Sequence, residues 1–119
     1  MHDTPTLQDI YRARRAIAGR IRRTPLVVSD TLSRTVGAPV HLKLEQLQIT
    51  GSFKLRGATN AVLALSPEQQ AEGVVGVSTG NHGRGLAYAA RQAGARCVSR
   101  SCGSRWTPAP DSSKWEKPR

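Results

Sequence analysis

Several kinds of residue are scarce in this sequence, and each shortage closes off a class of function. Cysteine occurs twice, as Cys97 and Cys102, too few for a disulfide framework or a four-thiolate zinc site, so both are expected as reduced thiols. His2, His41 and His82 have no metal-ligand spacing, and no metal is expected. No apolar run approaches the length that spans a bilayer, and no apolar signal core follows the basic N-terminal residues. The expectation is a soluble, cytoplasmic chain without a membrane partner. Acids are few, eight against eighteen Lys and Arg, which gives a formal charge of +10. Such an excess would suit phosphate neutralisation in a nucleic-acid complex. Aromatics are few as well. Of Tyr11, Phe53, Tyr88, Trp106 and Trp115, only Tyr11 lies beside the main basic cluster, where a base-stacking surface would want several. A non-catalytic nucleic-acid-binding protein is therefore the competing reading and not the leading one.

The chain is long enough for one domain with a modest core. Leu7, Ile10, Ala13, Ile17 and Ile21 fall on one stripe at helical spacing, so residues 7–23 are expected as a helix, capped by Thr6 with Asp9 and ended by Pro25. Its arginines lie largely off that stripe and are read as a solvated face. Leu26 to Val28 should be extended, and Ser29 or Asp30 should cap a short helix stopped by Gly37. Val40 to Leu44 alternates as a strand does. A mostly polar loop, Gln46 to Gly51, follows, with Gly51 as its turn residue. Leu55, Ala58, Val62 and Leu65 then mark a helix from Lys54, and Pro67 starts a further short helix ending at Gly73. Val74 to Ser78 lacks polar alternation and reads as a parallel strand buried on both faces. A loop with Gly80 and Gly83, a helix to Ala93 and a strand from Ala95 complete a βαβ unit, so the fold class is α/β with a parallel sheet.

Two places in this pattern can carry chemistry. Lys54 follows a Gly-Ser-Phe turn and opens a helix, near backbone N–H groups and an apolar ring. A lysine in partly dry surroundings gives up its proton more readily and can condense with an aldehyde. On spacing alone, a solvated surface lysine fits as well. The second place is Ser78-Thr79-Gly80-Asn81-His82-Gly83, between a strand and a helix, where open parallel sheets bind ligands and helix amides suit a carboxylate or phosphate. The order of its glycines is neither the dinucleotide fingerprint nor a nucleotide phosphate loop. A loop that simply needs glycine for its turn would look the same.

Taken together, the two places are far more specific. Arg23-Thr24-Pro25-Leu26, Leu42-Lys43-Leu44-Glu45, Thr50-Gly51-Ser52-Phe53-Lys54-Leu55-Arg56-Gly57-Ala58 and Ser78 to Gly83, in that order, resemble the opening of the fold-type II pyridoxal-phosphate (PLP) enzymes. Serine/threonine dehydratases and serine racemases are familiar members of that group. The resemblance runs over about residues 7–98, and the stretch from Thr79 to Arg91 is most similar to hydroxyectoine-utilisation dehydratases. It implies a partial tryptophan-synthase-β-like fold with an incomplete parallel sheet. It also implies PLP as cofactor, with Lys54 forming the Schiff base and moving protons at the substrate α-carbon. Phe53 would lie beside the cofactor ring and Asn81 would hydrogen-bond its phenolic oxygen. Ser78, Thr79, Gly80 and His82 would receive the carboxylate of a small amino-acid substrate. The implied reaction is dehydration of a hydroxy-amino acid to a keto acid and ammonia, with racemisation or another β-elimination or replacement as the alternative, in a protein that assembles as a homo-oligomer.

Nothing after Val98 resembles the family's glycine-rich phosphate cup or the residue that meets the pyridine nitrogen, so this chain alone is expected to have no turnover. Residues 1–98 are read as the N-terminal part of such an enzyme. Residues 99–119 hold Ser, Pro, Lys, Arg and two isolated tryptophans without either period. They are expected to be disordered and to follow a loss of reading frame near Val98.

Overall fold

The computed structural model describes residues 4–78 and 80–100. The first helix, α1 (Leu7–Ala16), begins with a reciprocal cap: the Thr6 hydroxyl accepts from the Asp9 amide and the Asp9 carboxylate accepts from the Thr6 amide. It is shorter than the 7–23 expected from its apolar stripe. Beyond Ala16 the hydrogen bonds tighten to Ala18 N to Arg15 O and Arg20 N to Ile17 O, and Gly19 takes φ 75°, so the turn at Gly19 ends the helix six residues before Pro25. Ile17 is buried in that turn, while Leu7 and Ile10 stay exposed.

Strand β1 (Leu26–Val28) leads into α2 (Asp30–Val36), where the Ser29 hydroxyl accepts from the Leu32 amide and Gly37 closes the helix at φ 70°. Strand β2 (His41–Lys43) returns antiparallel to β1, pairing Leu26 with Lys43 and Val28 with His41. A single 3-10 turn, Glu45–Leu47, precedes the loop to Lys54, and Gly51 turns that loop at φ 71°. Helix α3 (Lys54–Leu63) buries Leu55, Ala58, Thr59 and Val62, the face its sequence spacing marks out. Helix α4 (Pro67–Glu72) starts with proline at its first turn under a Ser66–Gln69 capping box and stops at Gly73.

The βαβ unit follows as expected: β3 (Val74–Val77), α5 (Asn81–Gln92) and β4 (Cys97–Arg100), with β3 and β4 parallel and Val74 beside Cys97. Helix α5 is sandwiched between the strand pair and α3. Ala58 and Val62 of α3 meet Leu86 and Ala89 of α5, and Val74, Ala93 and Cys97 pack on that cluster. Burial there pushes the Cys97 thiol up, which disfavours the reactive thiolate. The expectation that β3 is buried on both faces is not met. Val74 and Gly76 turn toward α5, but Val75 and Val77 are 77% and 75% exposed, and Val98 beside them is 54% exposed. An all-apolar run reads as doubly buried only where something covers each face, and among the described residues only α5 does so. No helix among them is long and apolar enough to cross a membrane. Strand β4 runs to Arg100, two residues past the expected boundary at Val98. The expected disorder and frame loss fall on residues 101–119, outside the described residues.

Candidate functional site

Lys54 is the first residue of α3, and three local features fix its backbone. Its amide donates to the Ser52 hydroxyl at 3.3 Å, Leu55 behind it is completely buried, and the Arg56 amide donates to the Phe53 carbonyl at 3.0 Å. The Lys54 Nζ stands 5.0 Å from the centroid of the Phe53 ring, a cation–π arrangement. Both side chains are exposed, so the dry surroundings expected for this lysine are not supplied by the described residues. The Thr50 hydroxyl, in the same loop, is buried without a hydrogen-bond partner among them.

The second sequence-marked segment lies against this one. Gly85, in the second turn of α5, sits on the backbone of Lys54 and Leu55: a Cβ built there would stand 3.3 Å from the Lys54 carbonyl carbon and 3.3 Å from the Leu55 nitrogen. A side chain here would press on the α3 backbone and require the helices to part by a few tenths of an ångström. Glycine here brings the starts of α3 and α5 together. Asn81 and His82 are the first two residues of α5 and are exposed, with Gly80 before them. The Asn81 side-chain oxygen accepts from Arg84 at 3.3 Å, and the Gly80 amide donates to the Ser78 hydroxyl at 3.2 Å. Thr79 lies outside the described residues.

Capping separates these two helices from the rest. Helices α1, α2 and α4 each have a cap-residue hydroxyl on their first amides, whereas the cap residues of α3 and α5, Phe53 and Gly80, provide none. At α3 the first amides are met from the preceding turn all the same, Lys54 by the Ser52 hydroxyl, Leu55 by the Ser52 carbonyl and Arg56 by the Phe53 carbonyl, so it is the start of α5 whose N–H groups and partial positive charge suit an anion. A lysine amine for an aldehyde, an adjacent aromatic ring, an amide side chain and the uncapped start of α5 together match the chemistry of PLP and an amino-acid carboxylate.

A polar cluster that sequence reasoning missed backs α3. The Arg56 guanidinium grips the Glu45 carboxylate with both forks, Nε to Oε2 at 2.9 Å and Nη2 to Oε1 at 2.7 Å. The Thr24 hydroxyl, on a residue 3% exposed, donates to Glu45 Oε1 at 2.5 Å, and the Lys43 amine donates to the Thr24 carbonyl. The hydrogen bonds from Arg56 hold the Glu45 carboxyl below its ordinary pKa against the opposing effect of burial, helped by Thr24 and the charge of Lys43. Next to it, Gln48 is buried and closes a two-way bridge with the Arg22 backbone, accepting from its amide and donating to its carbonyl at 2.8 Å each. All of these residues except Arg22 and Gln48 stand within the motif stretches; the available signal was the recurrence of opposite charges at 45 and 56.

A basic cavity of about 740 Å³ opens between α1 and this cluster, with Arg14, Arg22, Arg23, Lys43 and Arg56 in its wall. None of the sequence-marked site residues lines it. Three of its cations are already engaged, Arg56 with Glu45, Lys43 with Thr24 and Arg22 with the Leu47 carbonyl. It is not the centre to which Lys54 belongs.

The profile of the family described as "Pyridoxal-phosphate dependent enzyme" matches residues 17–100. The chain belongs to that family. It is 56% identical over 93 residues to a putative threonine dehydratase of Sinorhizobium fredii, covering 78% of this chain and 28% of that protein. It is 44% identical over 95 residues to a serine racemase of Dictyostelium discoideum, covering 80% and 28%. The crystal structure of serine racemase from Dictyostelium discoideum superposes with a TM-score of 0.78 at 40% identity, over 83% of this chain and 32% of that one. This family member thus spans about three-tenths of the length of these relatives. Its fold is α/β of fold type II, with the small parallel sheet described above.

Proposed function

We propose that this chain supplies the lysine-bearing part of the active site of a PLP-dependent ammonia-lyase acting on a small hydroxy-amino acid, with serine, threonine or a hydroxyectoine-derived amino acid as the candidates. The observation that carries the reading is the contact of Gly85 on the backbone of Lys54 and Leu55, which sets the first turn of α3 against the second turn of α5. When bound, PLP supplies an electron sink for the pair left on the substrate α-carbon. The chain's residues do the rest. Lys54 would hold the cofactor aldehyde and then take the α-proton. Phe53 would lie beside the ring, and Asn81 would donate to its phenolic oxygen. The amides at the α5 start, with Ser78, Thr79, Gly80 and His82, hold the carboxylate and so orient the Cα–H bond. In a dehydratase the β-hydroxyl leaves as water, and hydrolysis of the resulting enamine gives a keto acid and ammonia.

The 44% identical relative named as a serine racemase supports a second reading with the same residues. There, a proton returns to the opposite face of the α-carbon instead of the hydroxyl leaving. A chimera with residues 1–98 in place of the matching segment of the Sinorhizobium fredii protein separates the two. Keto acid from L-serine or L-threonine supports the lyase, and D-serine without keto acid supports the racemase. In either case borohydride should fix a pyridoxyl group on Lys54, and a Lys54→Ala chimera that retained the same fixed adduct would refute the role of this lysine.

A further inference from the structure

We propose that Glu45, Arg56 and Thr24 form a positioning clamp for Lys54, an inference that rests on the reading of Lys54 as the cofactor lysine. Arg56 follows Lys54 by two positions, which on an α-helix places them about 200° apart, on nearly opposite faces. Pinning Arg56 on one side therefore directs Lys54 to the other. The pin is strong in kind: a bidentate guanidinium–carboxylate pair at 2.7 and 2.9 Å, with side chains 33% and 17% exposed. The buried Thr24 hydroxyl completes it, donating to Glu45 and accepting from Arg56 at 3.4 Å. Thr24 is itself anchored through its carbonyl by Lys43. On the opposite side Gly85 lies against the Lys54 backbone. The first turn of α3 is held from both sides, so the rotation of the helix, and with it the direction of Lys54, is fixed before any ligand arrives. A lysine on four flexible methylenes needs such a base if it is to meet an aldehyde in one place.

The test uses the 119-residue chain, in which two of the four lysines, Lys114 and Lys117, serve as internal standards for Lys54. The chain is treated with PLP and then borohydride, and pyridoxyl groups are counted by peptide mass spectrometry as a ratio of Lys54 to Lys114 and Lys117. Thr24→Val, which removes the hydroxyl at constant shape, should lower this ratio, and Thr24→Ser should restore it. Glu45→Gln should lower it further, by about ten-fold. Thr24→Val discriminates, because it removes one hydroxyl of the clamp and leaves every charge in place. A purely electrostatic role therefore predicts no change in Thr24→Val where positioning predicts a fall. Unchanged helix content by circular dichroism separates loss of position from loss of fold, and the isosteric Thr24→Val keeps the test open if Glu45→Gln does not fold. A ratio that is unchanged or raised in both variants overturns the clamp. So does equal labelling of Lys54 and the reference lysines in the starting chain, whereas the chemical role of Lys54 is judged separately by the chimera.

Discussion

Replacing Gly85 by alanine tests the convergence on which the site depends. The added Cβ would lie 3.3 Å from the Lys54 carbonyl carbon, 3.3 Å from the Leu55 nitrogen and 3.4 Å from the Leu55 Cα, inside the 3.5–4.0 Å of a comfortable carbon contact. These neighbours are backbone, so relief requires α3 and α5 to part by a few tenths of an ångström. Two effects compete. Removing glycine from a helix interior stabilises by about 1 kcal/mol, and overpacking costs about 1–3 kcal/mol. Gly57, in α3, gives the first effect without the second, because a Cβ there has no atom within 4 Å. Gly57→Ala should therefore stabilise by about 1 kcal/mol, and Gly85→Ala should fall below it by about 1–3 kcal/mol. For a domain of this size, each kcal/mol is about 4–8 °C in midpoint. Thermal and urea unfolding of both variants, followed by circular dichroism, gives the difference directly. If Gly85→Ala were as stabilising as Gly57→Ala, the starts of α3 and α5 would not touch, and a site uniting Lys54 with the α5 loop would lose its basis.

Glu45 makes the fold acid-sensitive in a defined direction. Its pKa is depressed in the folded chain, so its contribution is complete above the unfolded carboxylate value, about 4, and is lost as pH falls through the lower folded value. Unfolding free energy measured against pH should flatten on its acid limb in Glu45→Gln, and an acid limb identical to that of the parent would contradict the pairing. Because Ser99 and Arg100 continue strand β4, the shift of reading frame expected near Val98 is proposed only for the stretch after Arg100. Translation of the downstream DNA in the other two frames should then reveal a glycine-rich loop and further βα units, and their absence from both frames would end the idea.

The sequence made elements legible wherever a local signal acted alone. Thr6 with Asp9, Ser29, Gly37, Gly51 and Pro67 lie where their cap and turn chemistry puts them. It misled where two local signals competed. The apolar stripe through Ile17 and Ile21 argued for a long helix, but Gly19 turned left-handed and won. It also misled where burial depends on distant partners. Val75 and Val77 read as core because they are apolar, yet exposure depends on what lies opposite. Gln48 read as part of a polar loop, though its side chain substitutes for a strand partner of Arg22. Lys54 and the Ser78 to Gly83 segment were each visible as chemistry-bearing residues, and their order and distance tied them to one family. Their physical meeting was not visible, because it depends on a missing Cβ at Gly85, whose partner is thirty residues away.

The uncovered valines of β3 and β4 have a colloidal consequence. Copies of this chain that approach by that face would gain by hiding Val75, Val77 and Val98 from water, but each copy carries a formal charge of +10. At about 0.01 M salt that charge acts over roughly 30 Å, and at 0.15 M over roughly 8 Å. Dissolved salt therefore sets the distance at which repulsion gives way to apolar attraction. The chain should stay dispersed in dilute buffer and tend toward self-association in saline, which light scattering over a salt series would show.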